Sequence, residues 1–383
     1  MNYTEQILKW YDKERRNLPW RNADDPYLIW LSEIILQQTR VDQGMEYYHR
    51  FAKKYPELKD FASAPEKDIL KLWQGLGYYS RARNMLNAAN QLMNDFNGEF
   101  PAEYDLLIKL KGVGDYTAAA IASIAFGQVV PVVDGNVKRV ISRIFGLNSS
   151  ATDLYKEVKE KMSELIDKNR PGDFNQAVME FGALCCTPAN PACEKCMFNA
   201  ECFAHIHNKV AELPAKPIKK KPEVKYFSYL VIRVDGVEKG VVFKKRTEKG
   251  IWKNLYEFPL IETGVQIDQS GLMENTLYRK WFGENEKIIK SSKVYKHQLT
   301  HRTIYASFHF VRPGAAPDYT PEPSWEILNH NSLVSYPVPR LIERFIKEYQ
   351  SDIDIILTPE YLKIHSSEIF SLKKSVTFSR KRY

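Results

Sequence analysis

The chain has 383 residues, of which 44% are hydrophobic and 27% charged, a balance that excludes a disordered, collagen-like or disulfide-stapled miniprotein. Its 55 Lys and Arg residues exceed its 47 Asp and Glu residues by eight, which suits an acidic partner such as nucleic acid but does not identify one. The length predicts two or three domains, each long enough to bury its own core.

Residues 1–208 have the apolar periodicity of a helical domain. A short helix ends before Pro19, and Pro26 opens a second helix that is apolar on nearly every face and is therefore predicted to be buried. Further helices, joined by turns that contain Gly or Pro, are predicted at residues 41–54, 65–74, 80–95, 103–110, 115–126, 134–146, 152–168 and 173–184.

The composition changes after residue 208. Residues 209–225 contain six Lys, two Glu and three Pro, as an exposed linker does. Residues 226–350 are predicted to form an α+β domain, and residues 351–383 a basic tail of unknown structure. Within that domain we expect a hairpin of strands 226–234 and 241–245 around Asp235-Gly236, a strand at 307–311 and a helix at 340–349.

Neither the N-terminus nor any apolar segment predicts export or membrane insertion. Residues 1–16 lack an apolar signal-peptide core. No stretch approaches the roughly 18 uninterrupted apolar residues of a membrane helix. We therefore expect a cytoplasmic protein, of a bacterial cytosol or nucleoid, that has no membrane partner and keeps its five cysteines reduced.

Four of the five cysteines have the spacing of a metal site. Cys186, Cys193, Cys196 and Cys202 follow the pattern C-x6-C-x2-C-x5-C, which can bring four thiolates to one point. On ligand type alone, zinc and a [4Fe–4S] cluster fit equally well. Cys185 ends an apolar helix and is predicted to be a small core residue.

A glycine-rich turn predicts a backbone site for an anion. Lys111, Gly112, Val113 and Gly114 lie between two predicted helices, where N–H groups at the start of the second helix can bind a phosphate. An ordinary helix–helix turn is the alternative. Twenty residues after the turn, Asp134 follows two β-branched residues and precedes a helix, a position typical of an N-cap.

Glu33 lies in the middle of the most apolar predicted helix. A carboxylate there is costly unless it is paired, hydrogen-bonded or protonated, and burial would raise its pKa toward that of a general acid at neutral pH. A buried salt bridge or a polar edge of the helix would explain it equally. Gln37 and Gln38, at the helix end, carry amides that can read base edges.

Several blocks in this order resemble the MutY-type adenine DNA glycosylases, which belong to the endonuclease III superfamily of helix-hairpin-helix glycosylases. The blocks are Pro19-Trp20-Arg21, Leu31-Ser32-Glu33 through Leu36-Gln37-Gln38-Thr39, residues 75–84, residues 134–139 and the cysteine loop. The resemblance runs through about residues 5–205. It continues more weakly at residues 250–259, which resemble the family's Nudix-like damage-recognition domain.

The resemblance implies a multidomain α and α+β fold. An all-helical glycosylase domain would occupy residues 1–208, with the helix-hairpin-helix at about 103–126 and an iron–sulfur loop at 186–202. The Nudix-like domain would occupy residues 226–350. It lacks the Glu-rich Nudix helix that holds Mg²⁺, so we expect it to recognise a lesion rather than to hydrolyse a pyrophosphate.

The resemblance also implies an activity, that of a monofunctional, monomeric DNA N-glycosylase. Such a hydrolase removes adenine mispaired with 8-oxoguanine, and with guanine, from double-stranded DNA during base excision repair. Glu33 would protonate adenine N7, Asp134 would stabilise the oxocarbenium-like sugar, and Tyr116 and Asn136 would support them. Endonuclease III carries a Lys at the position of Tyr116, whose amine permits strand cleavage through a Schiff base.

Other implied sites follow from matching positions. Trp20, Arg21 and Gln176 would line the adenine pocket, together with the matched Gln37 and Thr39, and Gln38 and Tyr78 would wedge into the base stack. Thr300 and His301 match the lesion-reading loop, although Leu299 replaces its usual aromatic residue. The four spaced cysteines would hold a [4Fe–4S] cluster.

The excess positive charge does not lie in the predicted catalytic body. The linker contributes 6 − 2 = +4 and residues 369–383 contribute +5, so the other 351 residues have a net charge of 8 − 9 = −1. We therefore expect DNA-backbone contacts from local features, namely the turn at Lys111–Gly114 and the side chains of Lys138, Arg139, Arg81 and Arg83. An endonuclease III-like glycosylase/lyase for oxidised pyrimidines and a non-catalytic damage-binding protein are the alternative functions.

Overall fold

A computed structural model of the chain describes residues 2–23, 25–215, 221–234, 240–284, 288–311 and 321–357. The chain forms two compact units. One comprises Met1–Leu72 and Ser80–Lys219, and the other comprises Trp73–Tyr79 and Lys220–Tyr383. Within the described residues, no helix has both the length and the apolar character needed to cross a membrane.

The first unit has only helices as regular elements among its described residues, as predicted. Two 3-10 turns occur at Pro19–Arg21 and Cys193–Lys195. The helices are α1 (Tyr3–Glu14), α2 (Pro26–Leu36), α3 (Val41–Lys54), α4 (Leu58–Ala62), α5 (Glu66–Leu72), α6 (Ser80–Asp95), α7 (Tyr104–Leu107), α8 (Asp115–Phe126), α9 (Gly135–Phe145), α10 (Ala151–Leu165), α11 (Pro171–Leu184) and α12 (Phe203–Ile206).

Helix α2 is the buried centre of one half of this unit. The Asp25 side chain caps it by accepting from the Tyr27 N–H, and Pro26 occupies the first helical position, where no N–H donor is needed. Every residue from 29 to 35 is buried, and the helix packs against α3 and α8. An apolar sequence without a polar face therefore produces a helix surrounded by protein.

A second apolar core brings the first helix of this unit together with its last helices. Helices α1, α9, α10 and α11 contribute buried residues to one apolar cluster that extends to the cysteine loop. Helix α11 approaches α8 closely at Gly172, where a Cβ atom would lie 2.6 Å from the Ser123 carbonyl oxygen. The same helix approaches the start of α9 at Gly182, where a Cβ atom would lie 2.7 Å from Asn136 Cβ.

In its described residues, the second unit contains a mixed eight-stranded sheet and five helices. Its central strands, β1 (Glu223–Val234) and β7 (Arg302–Val311), are parallel, and the order along the sheet is β3-β2-β1-β7-β5. The other strands are β2 (Gly240–Lys245), β3 (Tyr256–Glu257), β4 (Leu260–Thr263), β5 (Ile288–Ser291), β6 (Tyr295–Gln298) and β8 (Trp325–Leu328). The helices are α13 (Gln269–Met273), α14 (Thr276–Phe282), α15 (His330–Ser335), α16 (Arg340–Glu348) and α17 (Gln350–Leu357).

Helices cover both faces of this sheet. On one face, Phe308 of β7 stacks on Phe345 of α16 with ring centroids 3.8 Å apart. On the other face, Leu230 and Ile232 of β1 pack with residues of α13 and α14. The predicted α+β fold is confirmed.

The element boundaries differ from the predictions at several points. The helix predicted at 65–74 ends at Leu72, because a turn follows in which Gly75 has φ of 103° and Gly77 has φ of 74°. Residues 73–79 group with the second unit, although they lie within the range predicted for the helical domain. The helix predicted at 103–110 spans only Tyr104–Leu107.

The predicted hairpin is present as the antiparallel pair β1–β2. Its turn, Asp235-Gly236, lies outside the described residues, as do residues 216–220 of the predicted linker. Helix α17 occupies the start of the predicted tail, whereas the basic segment 369–383 lies outside the described residues.

Candidate active site

Glu33 is buried in the middle of α2, with 8% of its surface exposed. The Tyr116 hydroxyl, at the start of α8, donates to Glu33 Oε2 over 2.5 Å. Burial raises the pKa of Glu33 to about 7, although the Tyr116 bond acts in the opposite direction. The structure therefore holds a carboxyl group that can carry a proton at neutral pH.

Asp134 caps α9 and faces the same cavity as Glu33. Its Oδ1 accepts from the Val137 N–H over 2.7 Å, and its Oδ2 accepts from Asn136 Nδ2 over 2.9 Å. Burial raises the pKa of Asp134, whereas these two bonds favour its charged form. Asp134 is thus both the predicted N-cap and the predicted site residue. Each of its two oxygens accepts a hydrogen bond from one donor.

One cavity of about 690 Å³ brings most of the predicted site residues together. This volume is in the range of a pocket for a small organic ligand. Its lining includes Glu33, Tyr116, Asp134 and Asn136, and also Trp20, Arg21, Gln37, Gln38, Thr39, Gly112, Gly114 and Gln176. Gln37 is anchored by a bond from its Nε2 to Thr117 Oγ1, and Trp20 packs edge-on against Tyr48.

An ion-pair cluster that the sequence analysis missed forms one wall of this cavity. Glu180 of α11 accepts from Arg21 through both of its oxygens, over 3.0 and 2.8 Å, and from Arg16 Nε over 2.8 Å. Burial opposes ionisation of Glu180, but the bonds from Arg16 and Arg21 outweigh it and lower its pKa to about 2. Glu180 lies in the apolar segment Val178-Met179-Glu180-Phe181, so the pattern that predicted the burial of Glu33 also predicts the burial of Glu180.

Arg139 connects the start of α9 to the cysteine loop. Its guanidinium donates to Asn136 Oδ1 over 2.8 Å and to the Cys186 carbonyl oxygen over 2.7 Å. Asn136 in turn donates to Asp134. Arg139, expected to contact DNA, is therefore engaged inside the protein, where it supports the Asp134 carboxylate through Asn136.

All four spaced cysteines line one small cavity, of about 30 Å³, beside Cys185. Arg143, which is buried, donates to Cys186 Sγ over 3.4 Å and to the Thr187 carbonyl oxygen over 2.7 Å. Burial, and then the neighbouring Cys186, raise the pKa of the Cys193 thiol. Cys185 is partly buried against the apolar core, as predicted.

These sulfurs fit a thiolate-bound metal group by donor type and by their shared cavity. Within the ranges that the structure describes, however, no group of three or more His, Cys, Asp or Glu side chains is arranged to hold a metal ion. The Phe198 N–H donates to Cys196 Sγ, and Arg143 donates to Cys186 Sγ; such contacts stabilise negatively charged sulfur.

The predicted backbone turn is formed, but not all of its amides are available. The N–H groups of Lys111 and Val113 bond to Gln91 Oε1 and the Leu110 carbonyl oxygen. Gly112 has φ of 76°, and a Cβ atom there would lie 2.5 Å from Asn84 Cβ, so this position requires glycine. An anion at this turn would therefore meet the amides of Gly112 and Gly114.

The other basic residues predicted at the DNA backbone have different surroundings. Arg81 donates to the carbonyl oxygens of Ile34 and Ile35 over 2.8 and 3.0 Å, and so caps the C-terminus of α2. Arg83 is half-buried, and burial lowers its pKa. Lys138 Nζ lies 5.1 Å from the centre of the Tyr155 ring.

A predicted wedge residue, Tyr78, and a predicted lesion contact, Thr300, meet in the second unit. Tyr78, 44% exposed and with φ of 47°, bonds through its hydroxyl to Thr300 Oγ1. Thr300 and His301 form the turn between β6 and β7, which the bond from the Leu299 N–H to the Arg302 carbonyl oxygen closes. In the first unit, Gln38 follows α2 with φ of 57°.

We predict that Glu180→Gln destabilises the protein by about 3 kcal/mol, because it leaves the Arg21 guanidinium buried without its carboxylate. Denaturant unfolding of the full chain measures this change. Glu160→Gln on the exposed surface of α10 is the matched control and should change the free energy of unfolding by less than about 0.5 kcal/mol. Equal effects of the two substitutions would contradict a stabilising role of the cluster.

Comparison with known proteins identifies the family. Residues 31–168 match the HhH-GPD superfamily of base excision DNA repair proteins, and residues 228–348 match the NUDIX domain. The solved structure of a thermostable thymine-DNA glycosylase is 33% identical to this chain, with a TM-score of 0.51, and the match covers 54% of this chain and 95% of that one.

Two full-length relatives extend the match over both units. The adenine DNA glycosylase of Buchnera aphidicola subsp. Baizongia pistaciae is 34% identical over 87% of this chain and 88% of its own. The human adenine DNA glycosylase is 31% identical over 90% of this chain and 73% of its own. The family resemblance predicted from the ordered sequence blocks is confirmed: the chain belongs to the adenine DNA glycosylase family.

Proposed function

We propose that this chain removes adenine mispaired with 8-oxoguanine, and with guanine, from double-stranded DNA. The observation that carries the proposal is the pairing of two carboxyl groups in one cavity. Glu33 has a pKa raised to about 7 by burial, and Asp134 has both oxygens bonded to donors that favour its anion. Similarity to adenine DNA glycosylases supports the choice of base.

The proposed reaction is hydrolysis of the bond between sugar C1′ and adenine N9. The base leaves the stack before either carboxyl group can reach it. Glu33 gives its proton to adenine N7 as the C1′–N9 bond breaks, and the electron pair of that bond passes to the base. Asp134 stabilises the positive charge that develops on the sugar. Water supplies hydroxide to C1′ and a proton to the medium, so the products are adenine and an abasic site.

Tyr116 supports a monofunctional enzyme. Its hydroxyl is bonded to Glu33, and a phenol cannot form the Schiff base through which a lysine would cleave the strand. Asn136 orients Asp134 by donating to its Oδ2. The DNA backbone should therefore remain intact after the base is released.

The cavity wall suggests how the base is held. Glu180 fixes the Arg21 guanidinium through two hydrogen bonds, and Trp20 provides an aromatic surface in the same cavity. Gln176 and the matched residues Gln37 and Thr39 complete the proposed adenine pocket. An arginine held by two bonds to a carboxylate loses little conformational freedom when the base binds.

We assign lesion recognition to the Nudix-like domain, proposed at residues 226–350, beside a glycosylase domain proposed at 1–208. The Thr300 hydroxyl could accept the N7–H that 8-oxoguanine carries and guanine lacks, and its bond to Tyr78 orients it. His301 and Gln38 are the further proposed contacts with the mispair. The backbone contacts would come from Gly112, Gly114, Lys111 and Lys138.

The four cysteines are proposed to hold a [4Fe–4S] cluster. Their shared cavity and the donors to Cys186 and Cys196 support this assignment, as does the family to which the chain belongs. The bound cluster would fix the cysteine loop against α9, whose Arg139 and Arg143 contact that loop. Protein purified without oxygen should be brown and contain about four irons per chain; a colourless protein with one zinc would contradict the assignment.

A base-release assay tests the function. Duplexes with adenine opposite 8-oxoguanine, guanine or thymine, and one with thymine opposite guanine, are incubated with the full chain. Abasic sites are then revealed with alkali. We expect release from the first two duplexes only and no nicking without alkali. Glu33→Gln should slow release by about 10²- to 10⁴-fold because it removes the proton donor, whereas Glu160→Gln should leave the rate unchanged.

Four outcomes would overturn parts of this proposal. No release from either adenine mispair would refute it. Nicking without alkali would instead support a glycosylase/lyase, and unchanged activity of Glu33→Gln would exclude Glu33 as the acid. Release of thymine alone would instead support a thymine-DNA glycosylase, the activity named for the similar solved structure.

A further inference from the structure

A second cavity, of about 250 Å³, lies over one face of the sheet in the second unit. The strand register places Ser228 of β1 beside Ser307 of β7, and Ser291 of β5 beside His309 of β7. Further along this face, Leu230 and its neighbours pack against α13 and α14. The sheet face is therefore apolar beneath the helices and becomes polar where the cavity begins.

Buried polar side chains on an inner sheet face need a reason, because each one costs free energy unless it is hydrogen-bonded. Ser228 is 6% exposed and His309 is 5% exposed. Burial lowers the pKa of His309 to about 4, so its imidazole is neutral at pH 7. Neither residue belongs to the cavity that contains Glu33.

His309 joins two serines into a hydrogen-bonded relay. Ser291 Oγ lies 2.7 Å from His309 Nδ1, and Ser307 Oγ lies 2.8 Å from His309 Nε2. Gln269 of α13 extends the relay, because its Nε2 donates to Ser291 Oγ over 2.7 Å. All four side chains line the cavity.

The hydrogens of this relay can be counted. A neutral imidazole has one N–H donor and one acceptor nitrogen, so one serine donates to the ring and the other accepts from it. If Ser291 donates to Nδ1, the hydroxyl hydrogen of Ser307 is left for another partner; in the other tautomer, that of Ser291 is left. The relay can therefore present its donor at either serine.

The rest of the lining selects against anions. Tyr226 and Tyr305 stack with ring centroids 5.6 Å apart, and Gln266 adds an amide. No Lys or Arg occurs among the lining residues that the structure describes, so a phosphate would lack a cation. The Asp268 carboxylate already accepts from the Gly271 N–H as the cap of α13. At roughly 30 Å³ per water, the volume suits a molecule of one or two rings.

We propose that this cavity binds an uncharged nitrogen heterocycle of nucleobase size, whose donor–acceptor edge is held by Ser291 and Ser307 across His309. Nucleobases carry hydrogen-bond donors and acceptors around a small ring system, and a relay that can reverse its direction matches either order of them. The site is separate from the proposed excision of adenine and does not depend on it.

The test uses the full chain labelled with ¹⁵N at histidine, whose ring signals report directly on His309. The His309 signals are assigned by their absence in His309→Asn, with near-UV circular dichroism as the check on folding. Free adenine and uracil are the probes, and orotate, which is uracil with an added carboxylate, is the charged comparison. Because the readout does not involve base release, it is independent of the glycosylase proposal.

We expect millimolar adenine or uracil to shift the His309 signals saturably and orotate to leave them unchanged. Ser307→Ala should weaken this binding about tenfold, as one relay partner is lost, whereas Ser335→Ala at the exposed end of α15 should have no effect. No shift with either neutral base, an equal shift with orotate, or full affinity in a folded Ser307→Ala variant would overturn the proposal.

Discussion

The candidate active site depends on the burial of one carboxyl group. Glu33 lies in a helix whose residues from 29 to 35 are all buried, and its side chain contacts the Tyr116 hydroxyl. An isolated carboxylate in such surroundings favours its protonated form, while the phenol's hydrogen bond limits how far the pKa rises. The balance of these two effects gives a pKa of about 7, which is the property that acid chemistry at neutral pH requires.

The surrounding structure gives Asp134 a different hydrogen-bonding environment from that of Glu33. Asp134 caps a helix and accepts from Val137 and Asn136, so donors surround its anion. Asn136 is held by Arg139, which reaches the backbone of the cysteine loop. Burial raises the pKa of both carboxyl groups, but Asp134 accepts from two donors and Glu33 from one, so the environment of Asp134 favours its anion more. The cysteine loop, although outside the cavity, contributes to this difference.

Features that depend on neighbouring residues in the chain could be predicted from the sequence. The apolar run around Glu33 predicted its burial, and the residues around Asp134 predicted an N-cap; both follow from neighbours in the chain. Glu180 was missed because its partners, Arg16 and Arg21, lie about 160 residues away. The Arg81 cap and the grouping of residues 73–79 with the second unit likewise depend on which elements pack together. The fold class was predictable, whereas the ion pairs and caps that fix the site required the tertiary structure.

Direct titration of the Glu33 carboxyl carbon by ¹³C NMR, in the full chain without DNA, tests the central claim most directly. The account predicts an apparent pKa near 7, so that Glu33 carries its proton below that pH. It also predicts a higher value in Tyr116→Phe, because the bond that favours the carboxylate is lost. A Glu33 that titrates near its ordinary value of 4.5, or whose pKa is unaffected by Tyr116→Phe, would contradict the account.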